Sequence, residues 1–218
     1  MKVKWFGHAA FLLVASDGTK IIADPYIPGC FDNALCYGQI SETADAVTES
    51  HDHDDHAGGR MLPGRPPVLR GAGEHQVKSI TITGLDTAHD DAAGAKRGRN
   101  TVFLYCIDGL KIVHLGDLGE PLPAAVSSAI GQVDVLLVPV GGYFTIDATQ
   151  AHKTAEALGA RIIIPMHYRT GKCSFQIQPV DQFLQGRVGV RRFGTSEVEI
   201  TKDKLPAAPE IWVLHHAL

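Results

Sequence analysis

Apolar and polar positions alternate along the first part of the chain with the two-residue period of half-buried strands. The runs are residues 3–6, 11–15 and 20–23, with a turn at Ser16-Asp17-Gly18 before the third. This pattern predicts a β-meander that Asp24-Pro25 brings to an end. Pro, Gly and aromatic residues then crowd the stretch up to Gln39, which predicts an ordered but irregular loop. Further strands are predicted at 44–49, 68–70, 77–83, 101–107 and 111–115, the last two joined by the hairpin dipeptide Asp108-Gly109. Residues 133–138 and 161–165 are apolar runs bounded by turn residues, the mark of strands buried on both faces.

Helical periodicity is scarcer. It predicts a short helix at 121–130 and a better one at 147–158, with Asp147 as N-cap and Gly159 just past the end. A last helix is expected at 179–184, followed by a final strand pair at 189–193 and 197–201. The tail from Lys204, with Pro206 and Pro209 ahead of 211–214, has no assignment. There is no internal repeat, low-complexity block or linker, so one domain over 1–218 is expected.

Composition narrows the function classes. With 218 residues, 44% hydrophobic and 20% charged, the chain has the make-up of a folded enzyme or binding domain. Its 24 acidic and 20 basic side chains give a net charge of -4, so no general positive field draws nucleic acid or anionic lipid. A small-molecule substrate is expected, with neither nucleic acid nor membrane as partner. Lys96, Arg97 and Arg99 form the nearest thing to a basic run, which reads as a solvated loop, with a contact for an anionic substrate as the alternative. The apolar stretch 9–15 runs into Asp17-Gly18 and reads as a strand, and no run approaches the roughly 20 apolar residues of a bilayer span. Cytoplasmic residence is the simplest expectation. Cys30, Cys36, Cys106 and Cys173 form no CxxC pair and are read as reduced thiols.

The chemistry concentrates immediately after the strand expected at 44–49, in Ser50-His51-Asp52-His53-Asp54-Asp55-His56. This HxHxDH run places three imidazoles and a carboxylate within six residues. Mixed nitrogen and oxygen donors suit zinc first, with manganese and iron as alternatives, whereas calcium and magnesium prefer oxygen alone. Residues two apart in extended backbone point the same way, so His51 and His53 can grip one ion while Asp55 and His56 reach another. Further donors follow other predicted strands: His89, Asp117 in His114-Leu115-Gly116-Asp117, and His167 in Ile164-Pro165-Met166-His167-Tyr168.

HxHxDH, a later His, a Gly-Asp pair and a last His after a buried strand resemble the metallo-β-lactamase superfamily across roughly positions 3–200. Trp5-Phe6-Gly7-His8-Ala9-Ala10-Phe11 and Gly141-Gly142-Tyr143-Phe144-Thr145-Ile146 further resemble its compact branch of ascorbate-6-phosphate-lactonase-like and other metal-dependent hydrolases. The resemblance implies an α+β fold, a four-layer αββα sandwich with metals at one edge of two sheets. It implies His51, His53 and His89 on a first ion, Asp55, His56 and His167 on a second, and Asp117 bridging them. Members with iron redox chemistry carry Glu in place of His53 and an added flavin domain, and this chain has neither. Members that destroy β-lactam drugs lack the bridging Asp.

The expected activity is therefore hydrolysis of a small ester, lactone or phosphodiester by a hydroxide shared between two divalent ions, with Asp55 orienting it and carrying its proton. A nuclease-like phosphodiesterase and a catalytically silent metal-binding regulator are the alternatives. Among the other candidates, His8 is weighed between a role behind the ligands or toward substrate and a plain turn residue. Asp24 and Asp90 are weighed as hydrogen-bond partners of ligand imidazoles, and Tyr143 and Tyr168 between substrate contact and core. His114 reads as a core or supporting residue; His75, His152, His215 and His216 read as surface or packing residues.

Overall fold

A computed structural model describes residues 1–218. The meander is present as β1 (Lys2–Gly7), β2 (Ala10–Val14) and β3 (Lys20–Ala23), all antiparallel neighbours. The irregular loop that follows holds one helical turn, α1 (Cys30–Asn33), left-handed at Phe31, Asp32 and Asn33. Next come β4 (Ala46–Glu49), β5 (Val68–Arg70), β6 (Gly73–Val77), β7 (Ile80–Ala88), β8 (Arg99–Ile107) and β9 (Leu110–His114). The remainder is α2 (Ala124–Ile130), β10 (Val135–Pro139), α3 (Ala148–Ala157), β11 (Ile162–Met166), α4 (Val180–Leu184), β12 (Val190–Arg192), β13 (Glu197–Glu199) and β14 (Glu210–Val213).

The strands form two sheets, ordered β13-β1-β2-β3-β4-β5 and β12-β14-β11-β10-β9-β8-β7-β6. Alternation in β1 to β4 explains how both faces of the smaller sheet are used. Val3, Trp5, Phe11, Leu13, Ile21 and Ala46 join the main core against the larger sheet, whereas Phe6, Leu12, Ile22 and Val47 face the opposite way. That outer face is covered by Tyr26, Leu35, Tyr37 and Ile40 from the irregular loop, so its outer layer is largely loop with a single turn. In the larger sheet, β9, β10 and β11 are parallel, and the last two are buried at every position, as their unbroken apolar runs require. Helix α3 is fixed at its start by a capping box in which Asp147 accepts from the Gln150 amide and the Gln150 side chain returns to the Asp147 amide.

Three expectations are corrected. The strand expected at 77–83 is a hairpin, because Lys78 turns left-handed (φ 51°) and separates β6 from β7. Helix α2 begins only at Ala124, since Pro123 occupies the extended N-cap position. The final strands do not pair with each other: β13 binds β1, with Lys2 opposite Glu199, while β12 binds β14, the strand formed by the unassigned tail. These strands are three residues long and largely exposed, so their side chains do not specify a partner.

Candidate metal centre

Strand direction gathers the site. β1, β3, β4, β7, β9 and β11 all end toward the same edge of the two sheets, and the residues just beyond those ends are His8, Asp24, Ser50-His51, His89, Gly116-Asp117 and His167. His8 (φ 52°), Asp24 (φ 44°) and His167 (φ 50°) turn left-handed at the strand end. His and Asp tolerate that region better than most residues, and such strain collects at functional sites. Gly116 is also left-handed (φ 55°), and a Cβ there would lie 2.4 Å from Asn100 Oδ1 and 2.6 Å from Ser50 Cβ. The Gly of the Gly-Asp pair is thus required for Asp117 to approach the His51 loop.

Asp117 lies at the centre. Its Oδ2 is 3.3 Å from His89 Nε2, 3.3 Å from His167 Nε2 and 3.9 Å from His51 Nε2, and its Oδ1 is 3.1 Å from His56 Nε2. The donor atoms fall into overlapping groups, each within 4.8 Å: His51, His53 and His89; His51, His56 and Asp117; and Asp55, His56 and His167 together with His8. All seven residues expected from the sequence are brought together, with His53 the least covered of them.

Hydrogen bonds behind the cluster decide which imidazole nitrogen faces inward. His56 Nδ1 donates to Asp24 Oδ2 at 2.8 Å, and His51 Nδ1 donates to the Ser50 hydroxyl at 3.0 Å, which in turn donates to Asp24 Oδ2. One buried carboxylate therefore orients two imidazoles and turns both Nε2 atoms toward the cluster. Ser50 was not singled out from the sequence, although it directly precedes His51. Asn100 was missed as well: its Oδ1 accepts from the Asp117 amide at 2.9 Å, and its Nδ2 donates to Leu115 O at 3.0 Å, fixing the turn that carries Asp117. A strand Asn carries no local signal of such a role.

His8 is fully buried, donates through Nε2 to Asp55 Oδ2 at 3.0 Å, and packs against His167 with ring centroids 4.1 Å apart and planes tilted by 47°. It belongs to the site and is more than a turn residue. His114 donates to Ala9 O and accepts from the Gly116 amide, so it supports the chain as read. Asp90 does not touch His89; it accepts from the amides of Ala92, Gly94, Lys96 and Arg97 and so clamps the next loop. Tyr168 is core, packed 5.3 Å from Trp5, whereas Tyr143 is 63% exposed and leans on Phe144.

The electrostatics favour a cation. Burial lowers the His51 pKa to about 3, assisted by His56, and lowers that of His8 to about 4, so both rings are neutral and able to donate lone pairs. Burial opposes charging Asp117 and Asp55, but the facing imidazoles outweigh it and hold both carboxyls below the usual range. Burial likewise opposes protonating His56, and Asp117 with Asp55 overcomes it, raising its pKa well above the ordinary value. His51 Nε2 and Asp55 Oδ1 are buried without a hydrogen-bond partner. Each unpaired group costs about 1–3 kcal/mol, and divalent ions accepting these lone pairs would remove that cost, so the residues fit a metal.

Two facing sheets with a His/Asp cluster at their common edge define the class of metal-dependent hydrolases. A family model described as a Beta-lactamase superfamily domain matches residues 2–167. The chain belongs to the metallo-β-lactamase superfamily. A candidate zinc-dependent hydrolase of that superfamily from Thermotoga maritima is 36% identical, with a TM-score of 0.80 over 98% of this chain and 97% of that one. A metal-dependent hydrolase of Carboxydothermus hydrogenoformans is 30% identical over 196 residues, 78% of this chain and 85% of its own. A metallo hydrolase from Ignicoccus hospitalis, 24% identical with a TM-score of 0.63 over 84% of this chain and 88% of its own, shares the fold. The protein is a metal-dependent hydrolase. No helix is long and apolar enough to cross a membrane.

Proposed function

We propose that this single 1–218 domain is a cytoplasmic dinuclear hydrolase of small esters, lactones or phosphodiesters, with zinc as the preferred metal. In this reading His51, His53 and His89 hold one ion, Asp55, His56 and His167 hold the other, and Asp117 bridges them. The observation that supports it is the position of Asp117, with His51, His89 and His167 at 3.9, 3.3 and 3.3 Å from Oδ2 and His56 3.1 Å from Oδ1, so that it faces histidines of both groups. A carboxylate shared between two histidine groups is the arrangement a pair of cations needs. Bound divalent ions supply Lewis-acid polarisation of the scissile group and acidify water toward neutrality.

The protein's own groups do the rest. Asp55, pinned through Oδ2 by His8 and lining the cavity, would orient the attacking water and carry its proton to the leaving group. Asp24 and Ser50 keep the imidazoles from rotating, so the pocket is set before substrate arrives. The adjoining cavity of about 270 Å³, which His53, Asp55, His89, Asp117 and His167 help to line, favours a small substrate over a nuclease-like polymer.

The test is metal content measured together with a hydrolysis screen over lactones, phosphodiesters and thioesters. Two ions per chain and chelator-sensitive turnover are expected, with turnover abolished in Asp117→Asn while the fold is retained. A single ion per chain, or undiminished hydrolysis by Asp117→Asn, overturns the bridged site.

A further inference from the structure

The cavity beside the cluster has two unlike walls. One is the His/Asp cluster; the other is built from Phe31, Phe144, Phe175 and Arg97. Phe175 is the hub of this second wall, edge-on to Phe31 at 5.6 Å and to Phe144 at 5.9 Å, and 5.7 Å from the His8 ring behind. Phe31 is 51% exposed and held in a left-handed conformation (φ 53°) that a phenylalanine rarely adopts. Phe31 packs on Phe175 with one edge and leaves the rest of a strained ring facing solvent at the mouth of a polar site, which points to a ligand.

Arg97 gives the wall its second character. Its guanidinium carbon lies 5.4 Å from the centre of the Phe144 ring, and the side chain meets no carboxylate. Its loop neighbours differ: Lys96 pairs with Asp91 at 2.6 Å and Arg99 approaches Asp86 at 4.0 Å. The Arg97 amide is tied to Asp90 at 2.7 Å, so the guanidinium is carried on a clamped loop. A half-buried arginine fork, stacked on an aromatic ring and free of acid partners, is suited to receive a carboxylate or a phosphate.

Resting on the hydrolase reading above, we propose that the substrate carries a compact apolar or aromatic group next to the scissile bond and, apart from that bond, an anionic group held by Arg97. The phenylalanine wall takes the apolar part and excludes water around the reacting centre, while Arg97 fixes the far end. The volume, just below the roughly 300 Å³ at which drug-sized pockets begin, suits a small substrate.

The test is direct binding of product-like probes to the metal-loaded protein by calorimetry. The probes are 3-phenylpropionate, its neutral amide, 2-phenylethyl phosphate and propionate. The ring-bearing anions should bind about tenfold tighter than the amide, the worth of one charge-assisted contact, and about tenfold or more tighter than propionate, which lacks the ring that the phenylalanine wall buries. Arg97→Ala should erase the advantage over the amide without weakening the amide itself, and Arg97→Lys should restore part of it. Phe175→Leu, which keeps apolar volume, should weaken the ring-bearing probes and spare propionate. Whichever ring-bearing anion loses more affinity in Arg97→Ala identifies the group the arginine holds. A preference for anions that survives Arg97→Ala would place the anion on the metals and overturn the proposal, as would equal binding of propionate and 3-phenylpropionate. Metal content is read on the same samples, so a failure of the dinuclear site is seen separately from a failure of the selecting wall.

Discussion

Asp24 Oδ2 lies 2.8 Å from His56 Nδ1, and the same oxygen accepts the Ser50 hydroxyl that holds His51. The carboxylate is fully buried and also accepts the Ser50 amide at 2.8 Å. Asp24→Asn keeps the shape and loses the charge, so metal affinity should fall about 10–100-fold with little change in fold. Asp24→Ala strands three buried donors and should destabilise the protein by about 3–5 kcal/mol. Chelator competition and denaturant unfolding separate the two effects; equal metal affinity in wild type and Asp24→Asn would refute the orienting role.

The cluster was legible because its donors announce themselves twice, by residue type and by following a predicted strand. His51 to His56 sit together in sequence, and His89, Asp117 and His167 each follow a strand whose direction proves to be shared. What stayed hidden depends on contacts across the fold. Asn100 acts on Asp117 from a neighbouring strand, and Phe31 reaches the cavity from a loop whose left-handed turn has no sequence code. Asp90 illustrates the opposite failure. Its place beside His89 suggested an imidazole partner, yet the loop amides offered four closer donors. The last strands misled for a similar reason, since β13 joins β1 at the other end of the chain and β12 joins β14, formed by the unassigned tail.

Gly119 gives a second handle on the metals. Its amide donates to Ala88 O at 3.0 Å, and a Cβ there would lie 2.2 Å from the His89 carbonyl carbon and 2.3 Å from the Asp90 nitrogen. These are backbone atoms, so no side-chain rotation relieves the clash. Gly119→Ala should cost about 1–3 kcal/mol and displace His89 while leaving Asp55, His56 and His167 in place. On the dinuclear reading proposed above, metal content should fall from two ions toward one per chain under mild chelation. Retention of both ions would show that the His89 backbone has room to move.

The Asp90 clamp should be visible in hydrogen exchange. Burial would raise the Asp90 pKa, but the amides of Arg97, Ala92, Lys96 and Gly94 outweigh it and bring it down to about 2. The carboxylate is thus ionised and fully able to accept at neutral pH. Asp90→Ala should speed exchange of those four amides by about tenfold or more while leaving β10 and β11 protected. If Arg97 acts on the substrate, the same variant should lose the preference for anionic probes through loop disorder, although the guanidinium remains. Unchanged exchange would mean that the loop is held by other contacts.

His152 offers a pH test remote from the metals. It lies on α3, is 9% exposed, donates through Nε2 to Phe183 O at 2.8 Å and stacks on the Phe183 ring at 4.0 Å. Burial lowers its pKa, the Phe183 carbonyl works against that, and Arg187 lowers it further while Glu156 raises it. The unfolded chain therefore takes up a proton at this position before the folded chain does. The contribution to stability is complete above the ordinary imidazole value of about 6.5 and is lost as pH falls through it toward the depressed folded value. His152→Gln should lower stability at pH 8 by removing the stacked ring, yet its stability should fall less steeply than wild type between pH 7 and pH 5. Other buried histidines titrate in both proteins, so only the difference in slope reports on His152. Parallel stability curves for the two proteins would show that this imidazole does not change its protonation on folding.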